Sequence, residues 1–394
     1  MKILFVSALL PYPPHQGGQV RMYNLLKKLA LHHDITLLSF IRVEEEKEYL
    51  KKLDFCRRVI PIWRGNAWQP QYVFKSFLGN KPFLYATYDN DQMRQTVAQE
   101  VTRDSYDLIH LEPSYVWPSL PVVNLPVVVT EHNIESSIYQ GYVVRYRLPF
   151  VRPFLYWDVL KLRWWERRVW KKASHIVAVS ETDADVIRNT TKAARVSVVP
   201  NGVDLSQFTF QPKKKPGKKI LFVGYFGWLQ NRDALGYILD VLWPKIIKSQ
   251  QGMSLRVIGK KLPKNLREKI TSLGGSYGEE VEDIVVEYHK ADCLLAPIRI
   301  GGGTRYKILE AMATGLPVVT TTIGAQGLAV SSNKELFVAD RSDDIVKAVS
   351  EALANTKLRR EMTKRARAVV EKNYSWDQLA KKLERVWNNV KKTS

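Results

Sequence analysis

The chain has 394 residues, 45% of them hydrophobic and 25% charged, which excludes a disordered or fibrous protein and suits two or three domains with separate cores. A net charge of +21 favours anionic partners: nucleic acid, acidic lipid or phosphorylated substrates. Two cysteines, Cys56 and Cys293, are too few for a disulfide framework or a thiolate metal site and suit a reducing cytoplasm.

Met1 to Leu10 is apolar but lacks a small-residue cleavage site, and Pro11, Pro13 and Pro14 follow at once. It reads as a first core strand over Ile3 to Ala8 and not as a signal peptide. No run of 18 apolar residues exists, so no transmembrane helix is expected. Gly17 and Gly18 form a loop after that strand, followed by Arg21. Met22, Leu25, Leu26 and Leu29 then recur at helical spacing within Val20 to Leu31. Further strands are expected at Ile35 to Phe40, Leu108 to Leu111, Val127 to Thr130 and Ile176 to Val179. Buried strands alternating with helices predict an α/β fold with a doubly wound parallel sheet. His132 follows the strand ending at Thr130, at a carboxyl edge where such sheets bind ligands. Glu131 and Glu135 are its neighbours and candidates to orient it or act as a base. His110 and Glu112 end another strand.

From Arg145 to Lys172 there are nine Lys or Arg, two acids and eight aromatics. Leu155, Val159, Leu162, Trp165 and Val169 recur at helical spacing, with Arg163, Arg167 and Lys171 as a basic stripe. A basic amphipathic helix of this kind, with Trp164 beside the stripe, is expected at an anionic membrane surface. Trp63, Trp68, Phe74, Phe77 and Phe83 are candidates to extend that surface. The competing expectation is that the apolar stripe packs on the core.

Val198 to Gly202 reads as a strand ending in a turn. The charged, proline-bearing stretch Gln211 to Lys219 marks a domain boundary. A second alternating series has strands at Ile220 to Val223, Leu255 to Ile258 and Leu294 to Pro297. Gly301, Gly302 and Gly303 come next, then Thr304, which suits an N-cap, Arg305 and Lys307. The helix carries Glu310, stops at Gly315, and a strand restarts over Pro317 to Thr322. A glycine loop before a helix N-terminus is an anion site, with phosphate its usual occupant. No Asp-x-Asp motif and no His/carboxylate cluster has metal-ligand spacing, so no metal is expected. No RNA- or DNA-binding motif is visible, so nucleic acid is not an expected partner.

The string Glu310-Ala311-Met312-Ala313, then Gly315, Pro317, Val318 and Val319, resembles the donor-sugar motif of family 4 of the GT-B glycosyltransferases. The resemblance covers nearly the whole chain, including Val199 to Asp204 and the terminal helix Asp377 to Val390. It implies two Rossmann-like domains facing a cleft, over 1–205 and 206–375, with 376–394 crossing back to the first. It also implies a retaining, metal-independent transfer of sugar from a nucleotide diphosphate sugar, with no further cofactor, to a carbohydrate or lipid-linked acceptor hydroxyl. Cell-surface polysaccharide or glycolipid synthesis at the cytoplasmic face of the membrane is the implied setting. Glu310 would accept the ribose hydroxyls, and His132 would hydrogen-bond the donor sugar. Gly17, Gly18, Gly302, Gly303, Thr304, Arg305 and Lys307 would contact the donor, and Asp283 would border its base or ribose. The chain departs from the family pattern at three places. Gly224-Tyr225 replaces a Gly-Arg pair, Asn231 stands where a lysine is usual, with Arg232 next to it as a substitute, and Gly302 replaces the first glutamate of an E-x7-E pair. Two alternatives stay open: a sugar-nucleotide epimerase of the same fold, and a non-catalytic basic membrane-binding module.

Overall fold

A computed structural model describes residues 1–144, 148–192, 195–215, 217–301 and 305–393. The chain divides into two compact units, Met1–Pro200 with Leu379–Ser394, and Asn201–Gln378.

The first unit is built on a seven-stranded parallel sheet. Its strands are β1 (Lys2–Ser7), β2 (Asp34–Ile41), β3 (Arg58–Trp63), β4 (Leu108–Glu112), β5 (Val127–Glu131), β6 (His175–Ala178) and β7 (Val196–Val198). Their order is β3-β2-β1-β4-β5-β6-β7. The central strands are buried on both faces, as a parallel sheet covered by helices requires. The second unit carries β8 (Lys219–Val223), β9 (Ser254–Ile258), β10 (Ser276–Gly278), β11 (Cys293–Ala296), β12 (Val318–Thr320) and β13 (Phe337–Val338). Their order is β10-β9-β8-β11-β12-β13, and again all pairs are parallel. Both units are thus doubly wound Rossmann-like sheets whose order reverses beside the first strand of each.

Four strands sit at sheet edges: β3, β7, β10 and β13. The sequence patterning does not find β3, β10 or β13, and it starts β7 two residues late. Edge strands lack two-sided burial and are weakly marked: the apolar residues of β3 are interrupted by Pro61, β10 is Ser-Tyr-Gly, and β13 has two residues.

The helix Arg152–Lys172 corrects the expectation of a lipid-facing stripe. Leu162, Trp165, Val169 and Trp170 are buried in the core formed with the sheet, and Val159 is buried as well. The exposed aromatics of this helix lie off that stripe: Phe154, Tyr156, Trp157 and Trp164. The helix Pro70–Leu78 lies alongside, held by a 3.0 Å hydrogen bond from Ser76 Oγ to Asp158 and by Lys161 Nζ on the Ser76 carbonyl at 2.5 Å. Its Phe74, Phe77 and Leu78 are exposed, and Trp68 just before it is 82% exposed. No described helix is long and apolar enough to cross a membrane.

Candidate functional site

In the second unit the helix Tyr306–Thr314 follows β11 and the glycine loop. Gly315 ends it at φ +83, a left-handed conformation in which a Cβ would also lie 2.8 Å from the Phe210 ring. Gly302, Gly303 and Thr304 lie outside the described residues.

Glu310 and Lys307 both point into one desolvated spot. Tyr288 donates its hydroxyl to Glu310 Oε2 at 2.6 Å. Burial raises the Glu310 pKa, against the opposing pull of Tyr288 and Lys307. The Lys307 amine lies 4.6 Å from the Phe222 ring centroid and donates to Asn231 Oδ1 at 2.8 Å. Burial and the neighbouring Arg305 push its pKa down to about 7, although Glu310 opposes the shift. Arg305 is the most demanding group. Its Nε and Nη2 are buried and have no hydrogen-bond partner among the described residues, and desolvation drops its pKa to about 10. It lies beside Gly301, where an added Cβ would come 3.4 Å from Nη2. A buried donor without a partner costs about 1–3 kcal/mol. Two desolvated cations at a helix N-terminus form a site that an anion would satisfy.

The departures at Gly224, Tyr225 and Asn231 have a structural use. Asn231 donates Nδ2–H to the Tyr225 carbonyl at 2.8 Å and turns its oxygen to Lys307. The amine near the usual lysine's place therefore comes from the helix that carries Glu310. The Arg232 side chain is exposed and has no hydrogen-bond or ion-pair partner among the described residues. Asp283 is also exposed; its carboxylate caps the helix Ile284–Lys290 by accepting from Val285 N at 2.8 Å. Tyr288, on that same helix, was missed in the sequence. The available signal was a tyrosine on an apolar helix face, whose hydroxyl requires a partner when buried.

In the first unit the sequence candidates gather at the carboxyl ends of β1, β4 and β5. His132 Nε2 lies 2.5 Å from Glu112 Oε1. A Cβ on Gly18 would lie 2.9 Å from His132 Cε1 and 3.0 Å from its Nδ1, so glycine is needed there for the imidazole to fit. Arg21 is fully buried with Nε 3.5 Å from Glu112 Oε1, and it donates to the Pro200 carbonyl at 2.8 Å. Burial alone would raise the Glu112 pKa; His132, His110 and Arg21 outweigh it and hold the carboxyl well below its ordinary value. Glu131 turns away from this group and accepts from Trp170 Nε1 at 2.6 Å. Burial raises its pKa to about 8, with Glu166 and Glu135 adding to the rise. Glu135 rises to about 7, chiefly by burial and then by Glu166. Arg163 is half-buried and bonded to Gln140, whereas Trp164, Arg167 and Lys171 are exposed. Among the described residues, no group of three or more His, Cys, Asp or Glu side chains could hold a metal ion.

Comparison with known proteins matches these two units separately. Residues 15–207 fit the family model for glycosyltransferase family 4, and residues 217–355 fit that for glycosyl transferases group 1. YtcC of Bacillus subtilis, which carries a glycosyltransferase name, is 34% identical over 344 residues, covering 78% of each chain. A phosphatidyl-myo-inositol mannosyltransferase of Mycobacterium leprae is 26% identical over 312 residues, covering 72% of this chain and 74% of the relative. The fold is also that of the Anabaena protein HepE, solved with UDP-glucose, at a TM-score of 0.66 and 16% identity over 99% of this chain and 100% of the other. Both sheets, the Glu310 helix and the matched models agree: this chain belongs to the glycosyltransferases of family 4, group 1, with the GT-B fold.

Proposed function

We propose that the protein transfers a sugar, with retention and without a metal, from a nucleoside diphosphate sugar to the hydroxyl of a carbohydrate or lipid-linked acceptor in cell-surface polysaccharide or glycolipid synthesis. The observation that carries the donor class is the buried Arg305 guanidinium, with two nitrogens unpartnered among the described residues, beside Gly301 and the helix N-terminus. A diphosphate would supply the missing acceptors. Glu310 is acceptor-only when ionised and suits the two ribose hydroxyls; Tyr288 holds one of its oxygens. His132 would hydrogen-bond the transferred sugar. The acceptor oxygen would attack the anomeric carbon on the face from which the diphosphate leaves, and its proton would pass to the departing phosphate oxygen. Arg305, Lys307 and the helix dipole would stabilise the charge that develops there.

The name of the HepE complex makes UDP the first nucleotide to try, with GDP, ADP and dTDP beside it. Thermal shift with each should give one nucleotide that stabilises the protein. At about 100 times its dissociation constant the gain is about 2.7 kcal/mol. Glu310→Ala should abolish it. No shift with any nucleotide would overturn the donor reading.

The exposed aromatics of Pro70–Leu78 and Arg152–Lys172, with Arg167 and Lys171 on the latter, support contact with an anionic membrane at the cytoplasmic face. Lipid-linked acceptors suit such a surface, as the name of the mycobacterial relative illustrates. Co-sedimentation with vesicles containing phosphatidylglycerol tests this. The double variant Phe77→Ser, Trp157→Ser should lose binding, and equal binding by the variant would remove these aromatics from the contact.

A further inference from the structure

A chain of polar contacts runs from the C-terminal helix through His110 and Glu112 to His132, wholly within the first unit. The helix Trp376–Thr393 belongs to that unit from Leu379 onward. Trp387 on this helix is fully buried, and its indole N–H donates to His110 Nδ1 at 2.9 Å. An indole nitrogen can only donate, so His110 Nδ1 must be the acceptor. Burial lowers the His110 pKa, and the ring stacks on Phe5 at a centroid distance of 4.6 Å. The single ring proton of His110 is therefore on Nε2. That nitrogen lies 2.9 Å from Thr130 Oγ1 and 3.5 Å from Glu112 Oε2. The other oxygen of Glu112 lies 2.5 Å from His132 Nε2.

We propose that Trp387 is a positioning residue for His132: it selects the His110 tautomer, which presents an N–H toward Glu112, and Glu112 in turn fixes the His132 ring. The selection is chemical and not only steric. With Nδ1–H on His110, two donors would face each other at the indole, and Glu112 would lose the N–H on its inner side. A histidine whose ring direction is set by a carboxylate depends on that carboxylate being held. The remaining contacts of the helix fix where the indole sits. Glu384 meets His33 Nε2 at 3.0 Å, Lys391 meets Asp107 at 2.8 Å, and Thr393 accepts from Arg195 at 2.9 Å. The His132 role rests on the reading of the preceding section, but the tautomer assignment does not.

The test is long-range proton–nitrogen NMR on the full chain labelled with 15N-histidine, with His110 and His132 assigned by His110→Asn and His132→Asn. In the unaltered protein His110 should be the Nε2–H tautomer, unchanged between pH 6 and 8. Finding Nδ1–H overturns the proposal without any variant at position 387. Trp387→Phe keeps the ring but removes the N–H, and it should move the ring nitrogens of both His110 and His132. In UDP-glucose hydrolysis, kcat should fall about 10-fold with KM within about twofold, the size typical for losing a group that orients a functional histidine. Unchanged His132 nitrogens with unchanged kcat would make Trp387 a packing residue and overturn the proposal. Absence of hydrolysis by the unaltered protein would count against the proposed donor, and the ring nitrogens would still decide the role of Trp387.

Discussion

Glycines stand at the start of a helix in each unit, Gly17 and Gly18 opening the helix Gly17–Leu29 (where the sequence suggests a loop) and Gly301 preceding the Glu310 helix, yet the two charge balances are opposite. Around His132, the Glu112 carboxylate faces Arg21, His110 and His132, so the cluster neutralises itself. Around Lys307, two cations are desolvated and the Arg305 guanidinium keeps two nitrogens unpartnered among the described residues. A buried cluster whose carboxylate faces its cations serves to hold a group in one orientation. A cluster short of negative charge serves to wait for it. The contrast separates a charge-paired cluster from a charge-deficient one on physical grounds.

The sharpest way to break this contrast is Arg305→Ala. Nucleotide-induced stabilisation should vanish, while the free protein should become more stable by about 1 kcal/mol, because a buried cation with two nitrogens unpartnered among the described residues has been removed. A drop in free-protein stability on thermal denaturation would mean that Arg305 has a structural partner. The first unit should respond in the opposite sense: Glu112→Ala leaves Arg21 buried without its carboxylate, and a loss of about 3–5 kcal/mol is expected in denaturant unfolding.

A second way uses protons. The Lys307 pKa of about 7 lies well below the ordinary 10.5, so at pH 8 the amine is mostly neutral in the free protein. A bound diphosphate favours the ammonium form. Binding at pH 8 should therefore take up nearly one proton, read from calorimetry in buffers of different ionisation enthalpy. Zero uptake would place the phosphate elsewhere.

Glu131 gives a pH test in the first unit. Its pKa in the folded chain is raised from 4.5 to about 8. The unfolded chain releases the proton first, so stability is full below about 4.5 and falls as pH rises toward 8. Glu131→Gln keeps an acceptor for Trp170 and removes the titration. Its stability relative to the unaltered protein should rise across that window, by at most about 1.4 kcal/mol per pH unit. A constant difference would show that Glu131 does not titrate there. The smallest expected effect on stability is that of Gly18→Ala, whose Cβ must displace the His132 ring. Hydrolysis of UDP-glucose should weaken with the melting temperature nearly unchanged; equal activity would separate Gly18 from the role of His132.

Much of the fold was legible because buried strands and amphipathic helices write their burial into local residue choice. β1, β4, β5, β8 and β11 are apolar runs, and the Glu310 helix begins after glycines and ends at one. The positions of Glu310, Lys307, Arg305, Gly18 and His132 could be named from the same local strings. The partners could not. Tyr288 and Glu310 are separated by 22 residues, Lys307 and Asn231 by 76, and Trp387 and His110 by 277. The aromatics of Arg152–Lys172 show the same limit. Periodicity marked an apolar face, but only packing against the sheet decided that Trp165 and Trp170 are core while Trp157 faces solvent. Sequence by itself determined which residues form strands, loops and helix ends, since those depend on neighbours along the chain. Tertiary structure alone decided which charges are answered and which are left waiting, since desolvation and pairing depend on groups that only folding brings together.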